Sequence, residues 1–596
     1  MDGRRTYTLD LNHQTVFPSE IVYFDTETWF DPKLDEQTHK LRLGHAVRQR
    51  YTDGVPIGHS TAIDFTTPRE FWAFLESVGR ARRNVWVMAH NLDFDFAAVE
   101  GWKAVEEWGA TVLFWAFTPQ VFLLRVQRAS CGYQFIDSLG FMRRSLVALG
   151  KVVGLTKGTM PHPAESDAVW RVYCQRDVAV LKLAFERYME FVRDEDLGKL
   201  ALTGPGQALA AYRHRFMGER IVIHRAPLPM QTELASYHGG RVEAFYLGKV
   251  PASPVTYLDV NSMYADVMQT TSQPVQLLGR YTDPTPGRVR EGLSRYEILC
   301  DCTVKLDVPA VPFVDGKLLF PVGRFRTVLA GPEFRLCHDR GYVDRVHVMQ
   351  VYRRGHPFGG YVDHFWSARK AAQASGDETF GWFNKLLLNS LYGKFGQRNP
   401  SYTTHPANRG EQTGLQTVLS TATGRRESRL VFGGKVWLKT GDEPASHSFY
   451  AISSWITSAA RVKLWLLIEK AGRDHVYYCD TDSLFVDNEG KRRLTEDIAA
   501  GVLGALDVRE VGKSLTIHGL KDYSLDGSRT TKGIPDKAIE DSAGEFHYTT
   551  FDHLRTRLRQ GAPDEIRQRT VTKRLTREYT KGRRTPSGAV EPLRVD

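Results

Sequence analysis

The stretch Val476-Tyr477-Tyr478-Cys479-Asp480-Thr481-Asp482-Ser483-Leu484-Phe485-Val486 places two carboxylates at i and i+2 between two apolar arms. β-Branched and aromatic residues on both sides predict strands, and the Asp-Thr-Asp between them predicts the tip of a hairpin. Turn chemistry alone accounts for many acidic residues at such tips. This hairpin differs in being apolar along both arms while carrying two acids of its own.

Working outward, residues 255–264 read VTYLDVNSMY, with Asp259 at the end of a strand-like run, then a turn, then Tyr264. Brought alongside the hairpin tip, Asp259 would complete a trio of carboxylates able to hold two divalent ions. Nucleotidyl transfer needs such a pair: one lowers the pKa of a primer 3′-OH, the other holds the triphosphate, and both stabilise the in-line transition state. Between the acidic segments, residues 384–397 read NKLLLNSLYGKFGQ. On a helix Lys385, Asn389 and Tyr392 fall at i, i+4 and i+7 on one stripe, with Leu387, Leu388 and Leu391 packing around it. A core helix would place aliphatic residues on that stripe. A lysine there can hold triphosphate oxygens as a point charge, and the tyrosine ring can lie against a nascent base pair.

A second acidic set precedes these segments. Residues 21–28, 85–89 and 120–128 are apolar enough for buried strands, and 164–192 has helical spacing, a mixture that suggests an α/β or α+β domain. Asp25 and Glu27 lie two apart at the end of the first run, hence on one face. Asn91 and Asp95 follow the second run, and Tyr173 and Asp177 share a helix face four residues apart. Four acids anchored in apolar elements suit a two-metal phosphodiesterase, with Tyr173 placed to orient the attacking water.

The 596 residues correspond to about four domains at ~150 residues each. Apolar residues make up 42% and charged residues 25%, the balance of a globular chain. The net charge of +10 favours a polyanionic partner, nucleic acid before an anionic membrane surface. No uncharged apolar run reaches the ~18 residues of a membrane span, and no apolar segment follows the basic residues near the N-terminus as in a signal peptide. Six scattered cysteines without a CxxC pair argue against a disulfide framework or a structural zinc. A reducing cytoplasm, bacterial or of a host cell, is the expected location. Val511-Gly512-Lys513-Ser514 hints at a P-loop, but Asp507 stands where its first glycine belongs. Residues 272–292 read as a boundary rich in Pro, Gly and charge, 399–434 as an irregular inserted loop or hairpin, and the chain turns strongly basic after Gly533.

Taken in order, Asp25-x-Glu27, Asn91-x-x-x-Asp95 and Tyr173-x-x-x-Asp177 resemble the three exonuclease motifs of family B DNA polymerases. The segments around Asp259, Lys385 and Asp480 resemble motifs A, B and C of the same family, so the resemblance spans essentially the whole chain. It implies an α/β and α+β multidomain fold, a ribonuclease-H-like exonuclease domain followed by a right-hand palm, fingers and thumb. The implied divisions are 1–195 exonuclease, 196–306 first part of the palm, 307–360 a first insertion, 361–396 fingers, 397–443 a second insertion, 444–530 second part of the palm and 531–596 a basic thumb.

The implied metal ligands are Asp25, Glu27, Asp95 and Asp177 at one site. Asp259, Asp482 and the Val260 carbonyl serve the other, with Asp480 in support, and each site takes two Mg²⁺ or Mn²⁺ ions. Ser262, Arg369, Lys385, Asn389 and Tyr392 join Val260 around the nucleotide, and Tyr264 stacks under the sugar and excludes a 2′-hydroxyl. Asn91, Phe94, Ser138 and Leu139 match contacts to single-stranded DNA, and Lys157 falls where relatives carry a catalytic lysine. Tyr237, Gly239 and Gly240 match the YxGG/A linker, where small residues let backbone amides approach phosphates, and Lys521 with Tyr523 match the KxY motif that grips a primer terminus.

These smaller features, with long spacings that leave room for the two insertions, favour the protein-primed subgroup. There the first insertion contacts a priming (terminal) protein and the second encircles DNA for processivity and strand displacement. Partners would be template and primer DNA, dNTPs and a terminal protein, with no membrane. Two positions depart from the subgroup: Gly381 stands where a basic residue is usual, leaving Arg369 or Lys370 to supply the charge, and Asp93 is acidic. Rival readings are a primer-independent polymerase, a nuclease with a decayed polymerase half, and a non-enzymatic DNA-end-binding scaffold.

Overall fold

The computed structural model describes residues 6–118, 121–408, 410–419, 424, 426–541 and 544–596. Strand Glu20–Trp29 is central to the N-terminal sheet: antiparallel to Gln37–Thr52 on one side, parallel to Asn84–Ala89 on the other, which runs parallel to Cys131–Asp137. Such strands are covered on both faces, which is why Ile21, Val22, Tyr23 and Phe24 form an unbroken buried run. Helix Asp167–Asp194 packs across Glu20–Trp29 and Gln37–Thr52, burying Val178, Leu181, Phe185 and Tyr188 along one stripe. The helix expected over 164–192 is this one, and the strand expected over 120–128 is Val121–Arg128; Gln120 lies outside the described residues.

A five-stranded antiparallel sheet in the order Val242–Ala244, Val476–Asp480, Ser483–Val486, Val255–Val260, Leu506–Gly512 carries the second acidic set. Helix Tyr450–Ala471 packs behind it and is buried along nearly its whole length, Arg461 included. Among the described residues no helix is long and apolar enough to cross a membrane. Helices Gly359–Ser375 and Glu378–Ser390 pack on each other across a two-residue joint. Gly376 ends the first at φ 74°, and the Asp377 side chain caps the second by accepting from Phe380 N–H at 2.9 Å.

Two stretches are more ordered than their composition suggests. The 272–292 segment contains strand Gln273–Thr282 and the start of helix Pro286–Arg295; the strand joins a seven-stranded sheet with Glu297–Leu306, Val322–Leu329 and Val343–Gly355. Of the two alternatives for 399–434, loop or hairpin, the hairpin one holds: the segment is built into an antiparallel sheet of Arg398–Pro406, Lys435–Pro444, Arg426–Phe432 and Gly414–Leu419. Its outer strand Arg398–Pro406 is exposed along most of its length, so no apolar alternation marks it in sequence.

Residues 531–596 distribute over several sheets. Strands Glu545–Phe551 and Ile566–Arg574 pair with each other, and the second continues the N-terminal sheet by pairing Gln37, Thr38 and His39 with Gln568, Arg567 and Ile566. Arg594–Val595 lies parallel to Val322–Leu329.

Candidate active sites

Strand register assembles the C-terminal acids. Asp259 pairs with Ser483, and Val260 N–H donates to the Asp482 carbonyl at 2.8 Å. The tip closes tightly, with Asp482 N–H donating to the Asp480 carbonyl at 2.6 Å and Thr481 at φ 63°. Thr481 N–H donates to the Arg241 carbonyl at 2.7 Å, docking the linker onto the tip. A Cβ at position 240 would meet Thr481 Cγ2 at 2.8 Å, so glycine is required there by the hairpin itself, whereas Gly239 faces open space.

The electrostatics are those of a crowded anionic site with cations at its rim. Burial, then Asp259 and Asp480, push the Asp482 carboxyl up to about 6. Arg509 holds Asp259 Oδ2 through two nitrogens at 2.8 and 2.7 Å, and Lys521 Nζ reaches Asp480 Oδ2 at 2.9 Å. Tyr523 packs beneath against Tyr478 and Phe485, and Lys521 N–H donates to the Tyr478 hydroxyl at 2.8 Å. Arg369 donates to Ser262 Oγ at 3.3 Å, while Lys370 Nζ lies beside Gly501; of the two, Arg369 faces the site. Burial, then the neighbouring Arg369 and Arg509, lower the pKa of Lys385.

Lys385 and Asn389 lie on the open face of their helix, with Leu387, Leu388 and Leu391 buried behind. The helix ends at Ser390, and Tyr392 starts a short helix to Phe395, held by Ser453 Oγ donating to the Tyr392 carbonyl at 2.7 Å. The Tyr392 ring stacks on Tyr264, centroids 4.6 Å apart and 17° from parallel. Tyr237 sits against Gly396, where a Cβ would come within 2.5 Å of its ring. Gly381 packs toward Ala372 and Gln373 of the neighbouring helix.

The N-terminal acids also converge. Thr26 donates to Asp95 Oδ1 through its backbone N–H at 2.9 Å and its hydroxyl at 2.7 Å, and Cys174 Sγ lies 3.6 Å from Asp25 Oδ2. Ligand atoms of Asp25, Glu27 and Cys174 lie within 4.8 Å of one another. Burial, then Asp177, push Asp25 up to about 7; burial, then Asp25 and Asp177, push Glu27 up to about 9. Lys157 pairs with Asp177 Oδ2, its ammonium 4.9 Å from the centre of the Tyr173 ring, while Asp177 Oδ1 is buried without a hydrogen-bond partner. A buried acidic set with an orphaned carboxylate oxygen fits divalent cations. At the other site, half-buried strand ends and three converging carboxylates offer the same hard oxygen donors.

Several supporting residues carry no motif. Asp137 accepts from Asn91 N–H (3.0 Å) and Leu139 N–H (2.9 Å), fastening the 90–94 and 138–139 segments together, and His90 bonds Ser138 Oγ at 2.8 Å. Arg461 is buried against Glu333 at 2.7 Å and donates to the His238 and Gly239 carbonyls at 2.8 and 2.9 Å. Asp93, the acidic departure, pairs with buried Arg557, and Phe94 packs edge-on against Phe551, both partners coming from beyond residue 530. Single residues separated by hundreds of positions leave no spacing signal; only the mid-helix charge of Arg461 stands out in sequence.

The fold and its two carboxylate clusters define a family B polymerase framework. Residues 120–419 match the family described as DNA polymerase type B, organellar and viral, and the chain belongs to that family. It is 28% identical over 295 residues to the DNA-directed DNA polymerase of Enterobacteria phage PRD1, covering 48% of this chain and 49% of that protein. It is 23% identical over 385 residues to a probable DNA polymerase of Neurospora intermedia, covering 61% of this chain and 37% of the relative. The matched span is thus about half the length of the first relative and less of the second. Among solved structures, Phi29 DNA polymerase complexed with primer-template DNA and incoming nucleotides superposes with TM-score 0.68 at 15% identity, over 94% of this chain and 100% of that one. The same polymerase complexed with single-stranded DNA gives TM-score 0.63 at 16% identity, over 87% and 93%. The multidomain α/β architecture with ribonuclease-H-like and right-hand parts is therefore shared.

Proposed function

We propose that the chain is a DNA-templated DNA polymerase with a 3′-5′ proofreading exonuclease, of the protein-primed type. The observation that carries this reading is the pair of separate carboxylate clusters, each built around its own sheet, one beside a Lys385–Tyr392 face and one beside Lys157 and Tyr173. The domain divisions given above are proposed with it.

Divalent ions, Mg²⁺ or Mn²⁺, would be held by Asp259, Asp482 and the Val260 carbonyl at one site and by Asp25, Glu27, Asp95 and Asp177 at the other. When bound they activate the attacking oxygen and stabilise the leaving one. The chain's own groups set the geometry around them. Lys385 and Arg369 meet the triphosphate, Ser262 and Asn389 line its cradle, and Tyr392 faces the nascent pair while Tyr264 closes the space a 2′-hydroxyl would need. Lys521 engages Asp480, which suits Asp480 to a supporting role, and with Tyr523 fixes the primer terminus. Tyr237 and Gly239 offer backbone to the template strand, and Gly240 seats the linker. In the exonuclease cluster Tyr173 orients water, Lys157 balances Asp177, and Asn91, Phe94, Ser138 and Leu139 hold the single strand.

The test is synthesis on a single-stranded circular template with Mg²⁺ and four dNTPs, with and without an annealed primer. Product only with primer, or on adding a priming protein, supports the reading. Product without primer would make the enzyme self-priming, and no product in any lane would overturn polymerase activity.

A further inference from the structure

Trp29 ends the strand that carries Glu27, two residues on and therefore on the same face, and its indole is 50% exposed. The neighbouring strand bulges here: Glu27 pairs with Leu43 and Thr28 with Leu41, leaving Arg42 between registers. The Arg42 guanidinium lies 3.9 Å from the centre of Trp29 and 5.0 Å from that of Trp170, a cation inserted between two indoles. It is itself fixed and buried, donating to Asp167 Oδ1 at 2.8 Å, the Pro163 carbonyl at 3.0 Å and the Glu165 carbonyl at 2.6 Å. Trp170 in turn meets Tyr173 edge-on at 6.0 Å. The Trp29 indole is half open, pinned from behind by an immobile cation, and joined by contacts to both flanks of the exonuclease cluster.

We propose that Trp29 is a stacking platform for a nucleobase near the 3′ end of single-stranded DNA entering that cluster. The inference rests on the exonuclease reading. A pre-fixed ring loses little freedom on stacking, and every base offers a π-face, so the platform is tolerant of sequence as proofreading demands. The guanidinium behind the ring leaves the indole one face for the ligand.

The experiment uses the full chain, with Trp29→Ala and Trp29→Phe, each checked for an unchanged melting temperature. On single-stranded oligonucleotides with Mn²⁺, Trp29→Ala is expected to raise KM about tenfold, with kcat retained and Trp29→Phe recovering most of the loss. Unchanged KM, or a fall in kcat alone, overturns the platform. In parallel, with EDTA, fluorescence of a 3′-terminal 2-aminopurine should be quenched by the parent chain and less by Trp29→Ala; equal quenching overturns the proposal. If the parent chain degrades no DNA, the exonuclease reading fails, and the EDTA measurement still decides for or against stacking.

Discussion

Asp25 and Glu27 share one face of a buried strand and hold protons that solvated carboxylates would lose. Their folded values, about 7 and about 9, lie above the unfolded ones, so between the two the folded chain binds more protons and this pair's contribution to stability falls as pH rises. Calorimetric melting of the metal-free chain from about pH 5 to about 9 should therefore show a decline that Asp25→Asn with Glu27→Gln flattens. Parallel profiles would remove the burial argument for the raised pair. Asp482→Ala should reduce nucleotide incorporation about a thousandfold or more while sparing 3′-end degradation, and Asp25→Ala with Glu27→Ala should do the reverse. Primer-extension and degradation assays on both variants check this, and loss of both activities in either would contradict independent sites. Tyr264→Val should lower discrimination against ribonucleotides by roughly tenfold to a hundredfold in competitive incorporation. All these acids were legible as motifs because each ends an apolar run. Arg509 was not, since its meeting with Asp259 depends on strand pairing across 250 positions.

At the scale of elements, helix Tyr450–Ala471 and its buried Arg461 hold the linker to the hairpin sheet. Both members of the Arg461–Glu333 pair are within 2% of full burial, so Arg461→Ala leaves a carboxylate uncompensated. Urea unfolding should register a loss of about 3–5 kcal/mol, and a loss below ~1 kcal/mol would show that the pair is solvated. The hairpin and the central strand of the N-terminal sheet were readable because burial on both sides leaves continuous apolar runs. The 398–444 sheet was not, because its edge strand Arg398–Pro406 faces solvent along most of its length and shows no alternation. Lys385 and Asn389 share the helix Glu378–Ser390, the backbone stays in the helical region at Leu391, and Tyr392 on the next short helix stacks on Tyr264.

Across the whole molecule, the C-terminal segment works as a tie. Ile566–Arg574 extends the N-terminal sheet, Asp564 accepts from Trp102 and Lys103 N–H at 3.0 Å each, and Leu558 joins Phe432 in the core beneath that sheet. In the proposed reading the +10 charge attracts the phosphate backbone of DNA. DNA affinity should fall about 10³-fold or more between ~50 and ~200 mM salt if about six phosphates are contacted. Fluorescence anisotropy against salt measures it, and a flat response would mean the charge is only a solvated surface.

Sequence alone determined the order of the acidic motifs along the chain, because carboxylates set within apolar strands and helices leave a pattern that survives in one dimension. It also determined the basic character that a polyanionic partner requires. Only the tertiary structure decided that Arg369 rather than Lys370 faces the site, that Arg509 meets Asp259, that Asp93 pairs with Arg557, and that Trp29 is pinned by Arg42. These are contacts between side chains brought together by sheet register and domain packing. Such contacts depend on the summed geometry of many elements, and no local spacing records them.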